Sequence, residues 1–371
     1  MNQQNLERFR DYLQANGMIA ALLSSPFTLT WLTGYAPPIQ TGPSPFEGGP
    51  ALGWWREGEL TLIVSNIEAG AAAATGAQVS DYVGYTIEEP LPRFERQAAA
   101  LREVLGGHAG LTGAVGVELN YLPAALAPVV HKALSQATIQ PLDGRLDPLR
   151  AVKTAEEVEK INAALGLCDI AQADIRDHVK PGLSELELWG AMKARLEVVA
   201  NTRLPILADL AAGPRTGDIG GLPFNYILQP GDPVIFDLAP RLNGYWGDNA
   251  ATYFVGEPSA EMSKAYKVVL ETLRQGIDLV HPGLRARDLD KALREAIRSA
   301  GYEPYPHHTG HGLGVANHEE PRIVPYNNML LEAGMVIAIE PGIYLSGVGG
   351  VRLEHALQVT PDGCKVLTQH L

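Results

Sequence analysis

The chain has 371 residues, of which 46% are hydrophobic and 19% charged, a composition typical of globular proteins and a length that favours two domains. Its net charge of −13 is spread along the sequence, which argues against nucleic acid as a partner because phosphate binding requires a clustered basic surface. Only two cysteines are present, and no apolar run approaches the roughly 20 residues that span a bilayer, so we expect a cytoplasmic protein without disulfides or membrane contact.

The first 145 residues alternate between short apolar runs and helical patterns. Turn residues bound the runs IAALLSS, LTLIVS and AVGVELN, which predicts buried strands. Helical spacing marks LERFRDYLQANG, RFERQAAALREVLGG and LPAALAPVVHKALSQ. The alternation predicts a small α/β domain with a parallel or mixed sheet over residues 1–145. The Gly- and Pro-rich segment 31–49 is predicted to be an irregular loop that covers a pocket.

A connector, PLDGRLDPLRAVK, leads into the second predicted domain, residues 146–371. Just after it, Thr154 and Glu157 have the spacing of a capping box. In a capping box each side chain accepts a hydrogen bond from the other residue's backbone amide, which stabilises the first turn of a helix. The pair therefore predicts that a long helix begins here and continues over residues 155–178.

The second half of the chain contains an internal repeat. VKPGLSELEL at 179–188 recurs as VHPGLRARDL at 280–289, and GDPVIFD at 231–237 is answered by GMVIAIE at 334–340. Two long copies do not form a solenoid. They predict two similar α/β halves that are related by a pseudo-twofold axis and that each deliver an acidic side chain to a shared interface.

Carboxylates accompany the apolar strands of both copies. The first copy supplies Asp237 and, after a turn, Asp248, and the second supplies Glu340 and Glu354. Buried acids that meet at one interface would repel one another and raise one another's pKa unless cations compensate. A pair of divalent ions with oxygen ligands and at least one imidazole would do so. For any single acid, a surface turn or an ion pair is the alternative.

Histidines crowd the segment HHTGHGLGVANHEEP, residues 307–321, which holds four of them within twelve positions. Glycines between them would let the backbone approach something that the imidazoles bind. One of these histidines is therefore a candidate for the nitrogen ligand. A solvated surface loop is the alternative, and His318 could simply pair with the neighbouring acids.

With FDLAPRLNGYWGD, HHTGHGLGVANHEEP, IAIEPGIY and GGVRLEH in this order, the chain resembles the pita-bread metallopeptidases, the family of methionine aminopeptidase, aminopeptidase P and prolidase. The resemblance covers the chain from about residue 150 to the end. The first domain resembles the creatinase-type domain of prolidases and aminopeptidases P. The resemblance thus implies an α/β creatinase-like N-terminal domain followed by an α+β pita-bread catalytic domain with the pseudo-twofold repeat.

The resemblance also implies roles for individual side chains. Glu340 would accept a proton from the attacking water, His318 would stabilise the oxyanion and His307 would touch the substrate, whereas His308 has no role in the family's pattern. Two divalent ions are implied, Mn²⁺ in the first place with Co²⁺ or Zn²⁺ as alternatives. Their five implied ligands are Asp237, Asp248, His311, Glu340 and Glu354.

The sequence departs from the family's pattern at three places. Gly220 stands seventeen positions before Asp237, where the family usually has a substrate-contacting histidine. Ala250 and Ala251 replace the usual Thr-Arg, and His355 replaces the usual Asp. The first departure bears on substrate placement, and the last alters the surroundings that orient a metal ligand.

These features predict a dinuclear-metal-dependent exopeptidase that hydrolyses Xaa-Pro bonds, in the first place a prolidase acting on dipeptides. The alternatives are an Xaa-Pro aminopeptidase acting on longer peptides and a non-catalytic pita-bread binding protein. Arg352 and Arg215 are candidates for holding the substrate carboxylate, with structural ion pairs as the alternative for each. A homodimer is expected, in which the first domain narrows access to the metals.

Overall fold

The computed structural model describes residues 1–39, 48–107 and 110–371, which divide into two compact units, Met1–Leu149 and Arg150–Leu371. The sequence predicts the boundary at 145/146, within a connector that forms a short helix at Asp147–Ala151. Among the described residues, no helix is both long and apolar enough to cross a bilayer.

A six-stranded mixed sheet forms the centre of the first unit, with the strand order β4-β3-β2-β1-β5-β6. Strand β1 is parallel to β5 and antiparallel to β2. Because β1 is central, all but one of its MIAALL side chains are buried. The strands are β1 Met18–Leu23, β2 Leu52–Arg56, β3 Glu59–Ser65, β4 Gln78–Tyr82, β5 Gly113–Val117 and β6 Ala137–Pro141; the helices are α1 Gln3–Ala15, α2 Pro26–Thr33, α3 Ala69–Ala73, α4 Arg93–Gly106, α5 Ala127–Ala133 and α6 Asp147–Ala151.

The segment 31–49 begins in a helix rather than in an irregular loop. Helix α2 starts after Ser25, whose hydroxyl caps it, and continues through Thr33. It ends at Gly34, whose φ of 76° lies in the left-handed region that glycine tolerates best. The prediction of a loop is therefore wrong at its first three positions, and residues 40–47 lie outside the described residues.

The second unit contains two helix pairs, two larger sheets and a two-stranded sheet of β14 and β15. Helices α7 and α8 accompany a sheet of order β10-β8-β7, and α9 and α10 accompany a sheet of order β12-β11-β13-β16-β17. The helices are α7 Ala155–His178, α8 Glu185–Ala200, α9 Ala260–Leu279 and α10 Ala286–Ser299. The strands are β7 Ile206–Ala212, β8 Pro233–Leu242, β9 Tyr245–Trp246, β10 Asn249–Phe254, β11 Gly310–Gly312, β12 Glu319–Ile323, β13 Val336–Ile339, β14 Gly342–Leu345, β15 Gly349–Arg352, β16 His355–Thr360 and β17 Gly363–Val366.

The sequence repeat corresponds to a structural repeat. The capping box of Thr154 and Glu157 opens α7 as predicted, and α7 and α9 each precede a shorter helix. The residues before these shorter helices, Ser184 and Arg285, make isolated antiparallel bridges at equivalent positions of the repeat. The apolar run GDPVIFD, which finishes on Asp237 in the sequence, is only part of a strand, because the ten-residue β8 continues beyond Asp237 to Leu242.

The two halves meet where β10 and β16 begin. The backbone amide of Glu354 donates to the Ala250 carbonyl oxygen at 2.9 Å. The hydroxyl of Thr252 lies 2.9 Å from both the carbonyl oxygen and the amide nitrogen of Arg352. These bonds fix the ends of the two sheets side by side, and the predicted carboxylates lie at this junction.

Candidate metal centre

The predicted metal ligands come together at the junction of the two sheets. One candidate ligand atom from each of Asp248, His311 and Glu354 lies within 4.8 Å of the other two, and the same holds for Asp237, Glu340 and Glu354. Asp237 is on β8, Asp248 precedes β10, His311 is on β11, Glu340 follows β13 and Glu354 precedes β16. Five strands from both halves of the repeat therefore supply one site.

Glycines place His311 at this site through backbone packing. A Cβ atom at Gly310 would lie 2.0 Å from the Ala338 carbonyl oxygen, and one at Gly312 would lie 2.2 Å from the Glu320 carbonyl oxygen. Strand β11 is thus held tightly between β12 and β13. The glycines do allow a close approach, but the neighbours are strand backbones rather than a ligand.

His311 is buried and oriented to offer one nitrogen. Its Nδ1 lies 3.0 Å from the Gly312 carbonyl oxygen, and because a carbonyl only accepts hydrogen bonds, Nδ1 carries the proton. Its Nε2 lies 3.6 Å from Asp248 Oδ2 and 3.9 Å from Glu340 Oε1. Burial lowers the pKa of His311 to about 3, so the ring is neutral and its Nε2 lone pair is available to a metal.

Three of the four carboxylates of the site, those of Asp237, Asp248 and Glu354, have raised pKa values. Burial raises the pKa of Asp237 to about 6. Burial, and next the charges of neighbouring carboxylates, raise the pKa values of Asp248 and Glu354 well above their usual range. Glu354 Oε1 is buried without a hydrogen-bond partner among the described residues. A buried, unpartnered oxygen within a group of acids is what divalent cations would compensate, so these residues fit a pair of such ions.

His308 lies in the cleft, which the sequence did not indicate. Its Nε2 is 2.8 Å from Glu340 Oε1. Burial alone would lower the pKa of His308, but the hydrogen bond to Glu340 and that residue's charge outweigh burial and raise it. The pKa of Glu340 is lowered despite burial, first by the hydrogen bond from His308. The crowding of histidines is the only signal in the sequence, and it does not tell that both adjacent side chains, His307 and His308, line the cleft.

His307 and His318 border the same cleft. His307 Nε2 lies 2.8 Å from the Tyr344 hydroxyl, and its ring stacks on Tyr305 with centroids 4.9 Å apart. Burial lowers the pKa of His307 to about 4. His318 is exposed, and its ring centroid is 4.2 Å from that of His311. His307 is therefore held rigidly, whereas His318 is open to a substrate.

Arg352 also lines the cleft, but its guanidinium has protein partners. Nε donates to the Tyr344 hydroxyl at 2.8 Å, and Nη1 lies 2.6 Å from Asp237 Oδ2 and 3.6 Å from Asp209 Oδ2. Nη2 donates to the Ile219 carbonyl oxygen. To bind a substrate carboxylate, Arg352 would have to share its donors with Asp237 or exchange them.

Arg215 does not line the cleft, so the structure does not support its predicted role as a substrate ligand. Its guanidinium pairs with the buried carboxylate of Glu185 and lies over the Phe224 ring, 4.0 Å from the centroid. Glu185 also accepts from the backbone amides of Ala212 and Phe224. The ion pair thus holds together the segment that leads to the cleft, which is the structural alternative considered for this residue.

The position of the missing histidine is filled by an acid. A Cβ atom at Gly220 would lie 1.9 Å from Asp209 Oδ2, so a side chain at 220 would displace this carboxylate from its present position. Asp209 is the cross-strand partner of Asp237 in the β7–β8 pair. The sequence contained a signal for Asp209, because it interrupts the apolar run ILADLAA in the way that made Asp237 a candidate.

The cleft has a volume of about 460 Å³. Its polar end holds the predicted ligands and the histidines described above. Its other walls are largely apolar and include Ile206, Leu207, Ile219, Leu222 and Ala239. A ligand in the cleft would therefore contact hydrophobic side chains as well as the carboxylates.

Fold and site together define a metal-dependent peptidase. The chain belongs to metallopeptidase family M24, whose model matches residues 159–361, and the model of the creatinase/prolidase N-terminal domain matches residues 5–152. These matches confirm the predicted family. With the structural likenesses below, they also confirm the predicted fold, a creatinase-like domain followed by a pita-bread catalytic domain.

Individual relatives extend this finding. The chain is 34% identical over 229 residues to the Xaa-Pro dipeptidase of Pyrococcus furiosus. The aligned residues make up 62% of this chain and 66% of that protein. It is similar in structure to an Xaa-Pro dipeptidase from Bacillus anthracis, with 26% identity and a TM-score of 0.82. The match covers 99% of this chain and 97% of that one. A dipeptidase from Pyrococcus horikoshii OT3 gives 28% identity, a TM-score of 0.84 and coverage of 99% and 98%.

The raised pKa values lead to a stability prediction for the metal-free protein. Because the folded chain holds a proton on Glu354 more tightly than the unfolded chain, stability falls as pH rises from the unfolded value, about 4.3, through the raised one. At a pH above both the unfolded and the folded pKa, each unit by which folding raises the pKa lowers the free energy of unfolding by about 1.4 kcal/mol. We therefore expect Glu354→Gln to stabilise the metal-free protein by at least ~1 kcal/mol at about pH 8 and to have little effect at about pH 4.

Urea denaturation in the presence of EDTA at both pH values measures this difference. Glu303→Gln, at an exposed acid, is the matched control and should change neither midpoint. If Glu354→Gln destabilises the chain at the higher pH, the carboxylates are compensated by the protein itself and the interpretation of the site is wrong.

Proposed function

We propose that this metallopeptidase is a dinuclear-metal-dependent exopeptidase that hydrolyses Xaa-Pro dipeptides, that is, a prolidase. The observation that carries the proposal is that three buried acids, the half-buried Asp237 and one neutral imidazole meet at one site, in which Glu354 Oε1 has no partner among the described residues. The names of two similar proteins, both Xaa-Pro dipeptidases, support the substrate class. The intact set of acids argues against a non-catalytic binding protein.

Each predicted ligand has a place in the proposed centre. Two ions would be held by Asp237, Asp248, His311, Glu340 and Glu354, with the imidazole of His311 as the nitrogen ligand. Carboxylate-rich sites suit Mn²⁺, which is the ion we propose, with Co²⁺ or Zn²⁺ as alternatives. When bound, two such ions supply Lewis acidity and lower the pKa of a shared water enough for it to ionise near neutrality.

The side chains around the centre divide the remaining work. Glu340, held ionised by its hydrogen bond with His308, accepts the proton of the attacking water. His318 faces the open cleft and donates to the carbonyl oxygen as negative charge develops on it. His307, fixed by Tyr344 and Tyr305, touches the substrate and limits its position.

The cleft favours a short substrate with an apolar part. Its volume of about 460 Å³ lies toward the lower end of the roughly 300–1,000 Å³ that ligand pockets span. The apolar walls suit a proline ring, and Arg352 remains a proposed partner for the carboxylate of a dipeptide. An Xaa-Pro aminopeptidase acting on longer peptides is the second candidate, because the same chemistry serves both.

Homodimerisation, with the first domain narrowing access to the site, and a cytoplasmic location stay predictions. Both cysteines are free thiols in the structure, Cys168 buried and Cys364 half-buried. Reduced thiols are typical of the cytoplasm, which supports the proposed location.

Substrate length separates the two candidate functions. We expect the Mn²⁺-loaded enzyme to cleave Xaa-Pro dipeptides at least ~10-fold more efficiently than Xaa-Pro-Yaa tripeptides, because a longer chain would lose the carboxylate contact and meet the wall of the cleft. The ratio of kcat/KM values measures this preference, with an Xaa-Gly dipeptide as the control for proline. A preference for tripeptides would identify an aminopeptidase instead.

A further inference from the structure

Three imidazoles form a cluster beside the carboxylates. One ring nitrogen from each of His308, His311 and His318 lies within 4.8 Å of the other two. The ring centroids are 4.2 Å apart for His311 and His318, 5.1 Å for His308 and His318, and 5.3 Å for His308 and His311. Such spacing allows one ion to contact all three rings, and the proposed function uses only His311 as a ligand.

The cluster is accessible and bordered by negative charge. The side chain of His308 is 32% exposed and His318 is exposed, so an ion can enter from the cleft. Glu340 Oε1 lies 2.8 Å from His308 Nε2 and 3.9 Å from His311 Nε2. Because His308 Nε2 donates a hydrogen bond to Glu340, an ion bound to that nitrogen would displace this proton and have the carboxylate next to it.

His311 is a candidate ligand both in the three-histidine cluster and in the carboxylate-rich metal centre. It can bind an ion in only one of the two sites at a time. Its Nδ1 is committed to the Gly312 carbonyl oxygen, which leaves the single lone pair of Nε2. An ion among the three histidines would take this lone pair from the carboxylate-rich set. Occupation of one set thus excludes full occupation of the other.

The two sets differ in the metals they favour. Imidazole ligands suit Cu²⁺, Ni²⁺ and Zn²⁺, whereas carboxylates suit Mn²⁺. We propose that His308, His311 and His318 form a second metal site that takes an imidazole-preferring divalent ion such as Cu²⁺ and excludes Mn²⁺ from His311. Because the proposed function needs His311 and His318, occupation of this second site inhibits the enzyme.

Copper binding to the metal-free, full-length protein tests the second site without reference to peptidase activity. One equivalent of Cu²⁺ is added, and electron paramagnetic resonance counts the coupled imidazole nitrogens. We expect three such nitrogens in the wild type and two in His308→Asn. The affinity for Cu²⁺ should fall at least ~10-fold in the variant, because even residues that merely support a metal ligand contribute 10–100-fold.

His281→Asn is the matched control, because His281 is exposed and lies outside the cleft; its spectrum should equal that of the wild type. Circular dichroism checks that both variants fold. A wild-type spectrum with a single coupled nitrogen, or a His308→Asn spectrum identical to the wild type, overturns the proposal. Neither outcome depends on which peptides the enzyme cleaves.

A competition experiment tests whether Cu²⁺ in the three-histidine site excludes Mn²⁺ from His311. Adding Cu²⁺ to the Mn²⁺-loaded protein should release Mn²⁺, measured in the dialysate, and the activity should fall in parallel. The same titration of His308→Asn, normalised to the Mn²⁺-dependent rate of that variant, should require at least ~10-fold more Cu²⁺. Uptake of Cu²⁺ on three nitrogens without release of Mn²⁺ contradicts the exclusion.

Discussion

Glu354→Gln is expected to lower kcat/KM for Xaa-Pro dipeptides by at least ~10³-fold, because two-metal chemistry needs both ions in place at once. Two sets of three candidate ligands make up the site, and Glu354 is the residue that belongs to both of them. Its buried Oε1 has no partner among the described residues. Glutamine keeps the size of the side chain but removes its negative charge. The variant should therefore bind fewer than two Mn²⁺ ions per chain, measured by elemental analysis after gel filtration.

The same variant is expected to be more stable than the wild type when metal is removed, so unfolding of the metal-free chain would not explain a loss of activity. Glu303→Gln should retain both its metal and its activity. Chelation of the wild type should abolish turnover, and Mn²⁺ or Co²⁺ should restore it. A folded Glu354→Gln protein with near-normal activity would disprove the dinuclear assignment.

Much of this site was predictable because a repeat and a charge pattern point to the same place. A carboxylate in an apolar strand is costly, and two copies of the motif put such acids in both halves. The register pairs Ile339 with His355, which sets Glu340 opposite Glu354 as a hairpin requires. Strand periodicity and the energetic cost of buried charge are both local properties of the sequence, so they can be inferred without coordinates.

Side-chain contacts between distant segments were not predictable in the same way. Arg215 and Arg352 looked equivalent as cations near the motifs, yet one pairs with Glu185 and the other reaches Asp237. The choice depends on how β7 and the turn after it pack, which no local pattern specifies. For the same reason Gly220 appeared only as a missing histidine, whereas the structure shows that Asp209 occupies the space.

His318→Ala is expected to lower kcat by about 10²–10³-fold, the usual effect of removing one oxyanion donor, while the Mn²⁺ content and KM change little. His318 is exposed to the cleft and lies beside His311. It belongs to neither of the two sets of candidate ligands that contain carboxylates. Its hydrogen bond would strengthen only as charge develops on the carbonyl oxygen, so its loss should appear in kcat rather than in substrate binding.

His318→Gln, which retains a donor, should recover part of the rate, and His281→Ala should behave like the wild type. The assay requires Mn²⁺ alone, because Cu²⁺ or Zn²⁺ would engage His318 in the proposed three-histidine site. If His318→Ala loses Mn²⁺, or if its kcat is unchanged, His318 does not act as a donor to the transition state.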